Sequence, residues 1–447
     1  TQEMSPPFLA VRPLPEEMTT GRGPPLLTDG AAWTVVPATP MAVVARKRRR
    51  LNAGISAPLQ PGSDADEHDM IESHRGGEGH PLHTSLRPGR PAVVALLLIS
   101  AAACGDGGLV EEALNVQVER LLDAPMISAD THPSIGENIQ GPSLIRVPDW
   151  VEDPLGRYYL YFADHKGAYI RLAYADDLLG PWRVHVPGSL QLGESHFPVT
   201  PPEVPEGARE EVYERYRAAG MDPQALPHDP VFEMTAPHIA SPDVHVDDAR
   251  RKIIMYYHGL SGFGVQESRV ALSEDGIRFE ALEETLGRTY MRAFSWQDRI
   301  YVLAMPGVFY RSEDGLSGFE AGPVLFNRNM RHNAVLVRGH ELLVFWTQVG
   351  DVPERILLSR IDLRPDWTEW QASDPVEILR PERHWEGADA PLEPSVRSVA
   401  YGHVNQLRDP AIFEEDGRTY LLYAVAGESG IGIAELTISR APGEWPP

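Results

Sequence analysis

The chain has a single cysteine, Cys104, so it forms no intrachain disulfide. Histidine and cysteine never recur at zinc-ligand spacing, and neither a phosphate-binding loop nor a dinucleotide-binding glycine pattern occurs. No metal and no cofactor are therefore expected. Positive charge is scarce, with 40 Lys+Arg against 64 Asp+Glu. The two signs balance over residues 1–104, ten of each, so the whole net charge of −24 belongs to the remainder. Such a surface repels nucleic acid and anionic membrane, which speaks against a phosphate-backbone partner. Apolar residues make up 42% and aromatics 8% of the chain, enough for a large core.

Long apolar runs are scarce as well. Arg87 and Arg90 precede the apolar run Pro91 to Ser100, which leads into Ala101-Ala102-Ala103-Cys104-Gly105. A basic flank, a short apolar centre and small residues before a break form an export signal, too short to span a bilayer comfortably. The segment resembles a bacterial lipoprotein signal with Cys104 as the acylated residue. That resemblance implies an exported protein at a bacterial cell envelope, touching the membrane only through its lipid. Residues 1–86, rich in Pro and Gly and carrying Arg46-Lys47-Arg48-Arg49-Arg50, show no sustained period and read as a disordered or non-native extension. The signal segment occupies 87–104, and 105–137 holds a tether and an approach segment, Asn115 to Leu122, that can add an edge strand.

What the sequence has in quantity is repetition. One unit of three short strands recurs five times between about Gly141 and Leu436. The predicted strands are 141–145, 158–162 and 170–174, then 241–244, 253–257 and 268–272. The third and fourth copies give 290–294, 300–304 and 308–312, then 333–337, 342–346 and 355–359. The last gives 409–413, 420–425 and 430–436. Repeats of this size with several strands each predict an all-β, five-bladed β-propeller over 138–447. Two long connections interrupt it: 186–237, with a helix around Ala208 to Tyr216, and Asp362 to Val404.

Alternation of strand direction within a blade brings the starts of first strands and the ends of second strands to one face, near the axis. The first-strand starts supply Asn138, Gln140, Ser143, Asp243, His245, Arg292, Arg331, His332, Asn333, Asn405, Arg408 and Asp409. The second-strand ends supply Asp164, His165, His258 and Glu428. Polar and ionisable groups are concentrated where a purely structural propeller places small or apolar fillers. Each also has a plain alternative: Asp243 and Asp409 adjoin prolines, as turn aspartates often do. Arg408 serves equally as the counter-charge of Asp409, and His245 and His332 as satisfied core histidines.

Two stretches carry a further resemblance: Arg408-Asp409-Pro410-Ala411-Ile412-Phe413, continuing to Tyr423, and Ser241-Pro242-Asp243-Val244-His245. With them the chain resembles the five-bladed propeller glycoside hydrolases around families 43 and 32, as a divergent member. The resemblance implies carboxylate acid/base chemistry on a carbohydrate in the axial cleft, with Asp243 and Asp409 as the matched aspartates. The family's acid glutamate has no matched position. His165, His258 and Glu428 therefore complete the expected catalytic set, and His332 stays in play as an acid. Arg292, Arg331, His332, Asn333, Arg408, Asn405, His245 and Gln140 are the expected substrate-binding residues. A poly- or oligosaccharide hydrolase is the leading expectation. A phosphorylase-like enzyme and a non-catalytic sugar-binding lipoprotein are the alternatives.

Overall fold

The computed structural model describes residues 114–218, 221–226 and 228–440. The expectations for residues 1–86, for the segment 87–104 and for Cys104 lie outside the described residues.

Five antiparallel sheets form the expected five-bladed propeller. Blade one is Gln140–Arg146, Tyr158–Ala163, Tyr169–Ala175 and Arg183–Gln191. Blade two is Ile239–Asp247, Lys252–Gly262, Val265–Ser273 and Glu280–Ala281. Blade three is Arg292–Trp296, Arg299–Ala304, Val308–Ser312 and Glu320–Val324. Blade four is Met330–Arg338, Glu341–Gln348, Ile356–Asp362 and Val376–Leu379. Blade five is Arg408–Glu415, Arg418–Ala424 and Gly430–Arg440, and its outer strand comes from the other end of the described chain, Leu114–Arg120.

That last pairing runs from Leu114 opposite Arg440 to Arg120 opposite Ala434. It closes the ring by joining the two ends of the described chain, and the approach segment supplies the edge strand expected of it. The three-strand repeat read from sequence omitted the outer strands of blades one to four. The physical reason is exposure. Glu280–Ala281 and Glu320–Val324 are short and mostly solvent-facing, so they lack the apolar alternation that marks the inner strands.

The second strands are nearly continuous apolar runs because both their faces are covered. Successive side chains point to opposite faces of a blade and fill the two flanking seams. Tyr159 and Tyr161 pack toward blade two with Met255 and Tyr257. Leu160 and Phe162 pack toward blade five with Leu422 and Ile433. The same division gives one apolar cluster in each of the other three seams. Burying a residue of this kind is worth about 1.5–3 kcal/mol, and the seams together make the ring a rigid mount for whatever lies at its axis.

Candidate active site

The inner strands do not begin as regular β-ladders. In blade one the register slips between Gln140 and Ser143, and in blade two between Ala240 and Asp243. It slips again between Met330 and Asn333 and between Arg408 and Ala411. Each slip is a β-bulge, a feature that bends a strand and re-aims its side chains beside active sites. Gly141, Ser241 and Asp409 take positive φ angles of 63°, 52° and 47° within the slips, and Tyr290, just before the first strand of blade three, takes 61°. For residues other than glycine such backbone is strained by about 1–3 kcal/mol, and it persists only where the surroundings enforce it.

This register separates the two predicted aspartates. Asp409 is equivalent to Ser241 and Gly141, whereas Asp243 is equivalent to Ser143, two positions further along the strand. The Ser143 hydroxyl accepts the Val244 amide of the next blade at 2.8 Å. Asp243 does the same with the Ala293 amide at 2.8 Å. Its carboxylate also meets His245 Nε2 at 2.7 Å and Arg292 at 3.8 Å. Asp243 is thus a latch between blades and does not line the cleft, which corrects the expectation that both carboxylates open into it. His245 is committed to Asp243. Asp243→Ser, which copies the Ser143 arrangement, is expected to change activity less than about twofold while lowering stability by about 1 kcal/mol; denaturant titration and any activity assay check both.

The cleft lies on the axial face, has a volume of about 170 Å³, and is walled by Gln140, His165, His258, Tyr290, Arg331 and His332. The blade-one-to-two insertion, with its helices Ala208–Ala218 and Pro230–Thr235, contributes Val212, Tyr216, Glu233 and Met234 to the rim. The blade-four-to-five connection contributes Arg397 and Ser398. Its three tryptophans pack away from the cleft, Trp367 and Trp370 in the seam between blades three and four and Trp385 against the seam between blades four and five, so the cleft's phenyl-type rings are tyrosines.

Two carboxyl groups stand behind this wall. Asp409 is fully buried and its Oδ1 accepts the Tyr290 hydroxyl at 2.7 Å. Its Oδ2 has no hydrogen-bond partner among the described residues. Burial, and then the charge of Glu428, push the Asp409 carboxyl up to about 7. Glu428 is also buried, yet it accepts Arg408 at 2.7 Å and Asn138 Nδ2 at 2.8 Å, with His165 Nδ1 3.3 Å away. Burial alone would raise it, but His165, Arg408 and Asn138 hold it well below the usual carboxylate range. The cleft therefore has two pairs: Tyr290 backed by Asp409, and His165 backed by Glu428.

The histidines divide accordingly. Burial, with Arg331 and Arg408 near, keeps His332 well below its ordinary value. The Asp409 amide donates to its Nδ1 at 3.3 Å, which puts the proton of the neutral ring on Nε2. Burial, followed by His165 and Lys166, pushes His258 down to about 3. Both rings are neutral near pH 7 and do not serve as acids there; His165 is the remaining candidate. Arg408 is enclosed by Glu428, Gln406 and Glu354. Arg292 spans blades through Pro242 O and Asn333 O, with its guanidinium 4.5 Å from the Tyr290 ring centroid. Asn333 donates to Tyr290 O, and Asn405 braces the carbonyls of Ala388 and Ala390. These four act behind the wall rather than on it.

Sequence reasoning missed Tyr290, Tyr216, Lys166, Glu233 and Arg397. Tyr290 had a signal: it begins the third copy at the position that Asp409 occupies in the fifth. Tyr216 and Glu233 had none, because the insertion has no repeat to align with. Arg397, pushed down to about 10 by burial and then by Arg331, sits with Arg331 on one wall.

No family profile matches the chain. It is 35% identical over 326 residues to "Uncharacterized protein R118" of Acanthamoeba polyphaga mimivirus, covering 67% of this chain and 83% of the viral one. Among solved structures it is similar to a GH43_1 enzyme from Xanthomonas citri, with TM-score 0.42, 10% identity, and 70% and 90% of the two chains covered. An endo-1,4-beta-xylanase from Bacteroides thetaiotaomicron gives TM-score 0.42, 12% identity and coverage of 68% and 94%.

Proposed function

We propose that this chain, which belongs to the same family as the mimivirus protein, cleaves glycosidic bonds of a poly- or oligosaccharide in its axial cleft. One observation carries this reading. Two buried carboxyls stand behind one cleft, each against a different wall residue: Glu428 at 3.3 Å from His165 Nδ1 and Asp409 at 2.7 Å from the Tyr290 hydroxyl. Glycosidic cleavage needs one group that donates a proton to the leaving oxygen and another that takes a proton from the nucleophile, and each carboxyl backs a cleft group suited to one of these roles.

In this reading His165, oriented by ionised Glu428, donates its proton to the glycosidic oxygen. A water beside the Tyr290 hydroxyl attacks the anomeric carbon. That water gives its proton to Tyr290, which passes its own to Asp409. One carbon–oxygen bond forms, one breaks, and the proton lost by His165 is balanced by the one gained by Asp409. Tyr216 offers a ring face to the sugar, and Arg331 and Arg397 bind its polar substituents.

A panel of glycans assayed for reducing ends, with and without phosphate, tests the activity. Tyr290→Phe is expected to remove about 100-fold or more of it without unfolding the protein, because the ring packing is kept and only the relay hydroxyl is lost. Full activity in Tyr290→Phe would end the relay. Release that requires phosphate would favour a phosphorylase-like reaction, in which the Arg331 and Arg397 wall holds the anion. Complete burial of Asp409 favours a second reading, a sugar-binding protein without catalysis; saturable sugar binding with no cleavage across the panel is its signature. Export with acylation at Cys104 is a proposal from the sequence pattern of Arg87 to Gly105, and palmitate labelling of the full chain in a bacterial host tests it.

A further inference from the structure

Outside the cleft, the connection between blades four and five brings together two histidines and an aspartate. His384 Nδ1 lies 2.9 Å from one Asp389 oxygen, and His403 Nε2 lies 2.7 Å from the other. One ligand-type atom from each residue falls within 4.8 Å of the others, and the two rings are 5.1 Å apart. All three side chains are open to solvent, with 81%, 54% and 42% exposure for His384, Asp389 and His403.

The backbone beneath them is held at each of the three points. Two residues after His384, the buried Glu386 accepts Arg120 Nε at 2.7 Å, the Tyr423 hydroxyl at 3.0 Å and the amides of Glu382 and Arg383. Asn405 Nδ2 donates to the carbonyls on both sides of Asp389, Ala388 at 3.2 Å and Ala390 at 3.1 Å. Beside His403, the Gly402 carbonyl accepts the Ser429 hydroxyl at 2.9 Å. Ligand positions anchored separately in this way need little ordering when an ion arrives, which lowers the entropy lost on binding.

Two imidazole nitrogens and one carboxylate are a donor set that suits borderline divalent ions, leaving a fourth position to water. The set is poorer for calcium or magnesium, which take oxygen ligands and more of them. We propose that His384, Asp389 and His403 bind one divalent transition-metal ion of the zinc class. The ion joins the 384–389 end of the connection to its 402–405 end, across the stretch that carries Arg397 and Ser398 into the cleft wall. The proposal is independent of what the cleft does.

The test uses the full chain, stripped with chelator and dialysed, then titrated calorimetrically with Zn²⁺, with Mg²⁺ and Ca²⁺ as controls. The parent is expected to bind one more zinc ion than Asp389→Ala, and its melting temperature is expected to rise with zinc by more than the variant's. His403→Ala should reproduce the loss, or weaken the site about tenfold or more if the other two ligands hold on. All three side chains are exposed, so the variants should melt with the parent in chelator; should Asp389→Ala fail to fold, His384→Ala carries the same comparison. Equal zinc stoichiometry and equal thermal response in parent and variants overturn the proposal. Magnesium binding as tight as zinc at the same residues overturns the assigned class of ion.

Discussion

Asp409→Asn is expected to lose about 100- to 10,000-fold of glycan-cleaving activity while resisting denaturant at pH 8 at least as well as the parent. Both halves follow from one buried carboxyl. Its folded-state value is about 7, against 3.8 for the same group unperturbed. Between those two values the folded chain holds a proton that the unfolded chain has released, so stability falls as pH rises from about 4 to about 7. Stability from this group is fully present below the lower value and lost above the upper one. Asparagine has no proton to lose and keeps an oxygen for the Tyr290 hydroxyl, so the variant should gain on the parent across that window. The parent's own activity should rise as pH passes through about 7, because the base in the proposed relay must be ionised. Retained activity in the variant would remove Asp409 from the chemistry. A parent-to-variant stability difference that is flat from pH 4 to 8 would mean that its carboxyl is not displaced.

The second large effect is expected at Arg408, and it falls on stability. This guanidinium is buried, 2.7 Å from Glu428 and 3.4 Å from Glu354, which are themselves buried. Removing one member of a buried charged group leaves the others uncompensated, at a cost of about 3–5 kcal/mol. Arg408→Met is therefore expected to lower unfolding free energy by about that amount. Adding Glu428→Gln should return part of the loss, since it removes one of the two stranded charges. Losses that simply add in the double variant would show that Arg408 and Glu428 are not coupled. The double variant should remain inactive, because His165 then has no carboxylate to orient it.

Much of the propeller was legible in the chain because its causes are local. Strands such as Tyr158–Ala163 and Arg418–Ala424 are covered on both faces, and that condition writes itself as an apolar run with a fixed repeat. Five runs imply five blades, and ring closure by 114–120 is consistent with the apolar alternation of Val116 and Val118. The outer strands of blades one to four were illegible since an exposed edge leaves little pattern.

At the axis the polar residues that gather were readable from the repeat: His165, His258, Arg331, His332, Arg408, Asp409 and Glu428 all lie at the cleft or directly behind its wall. Tertiary structure alone decided their duties. Asp409 precedes its proline and Asp243 follows its own, so the bulge that both blades share leaves them two positions apart in register. A shift of that size separates a carboxylate latched to Ala293 and His245 from one buried against Tyr290. The displaced acidities of Asp409 and Glu428 likewise depend on neighbours from other blades and on exclusion of water. Proton affinity is set by the field of everything within a few ångströms, and no single stretch of chain contains that information.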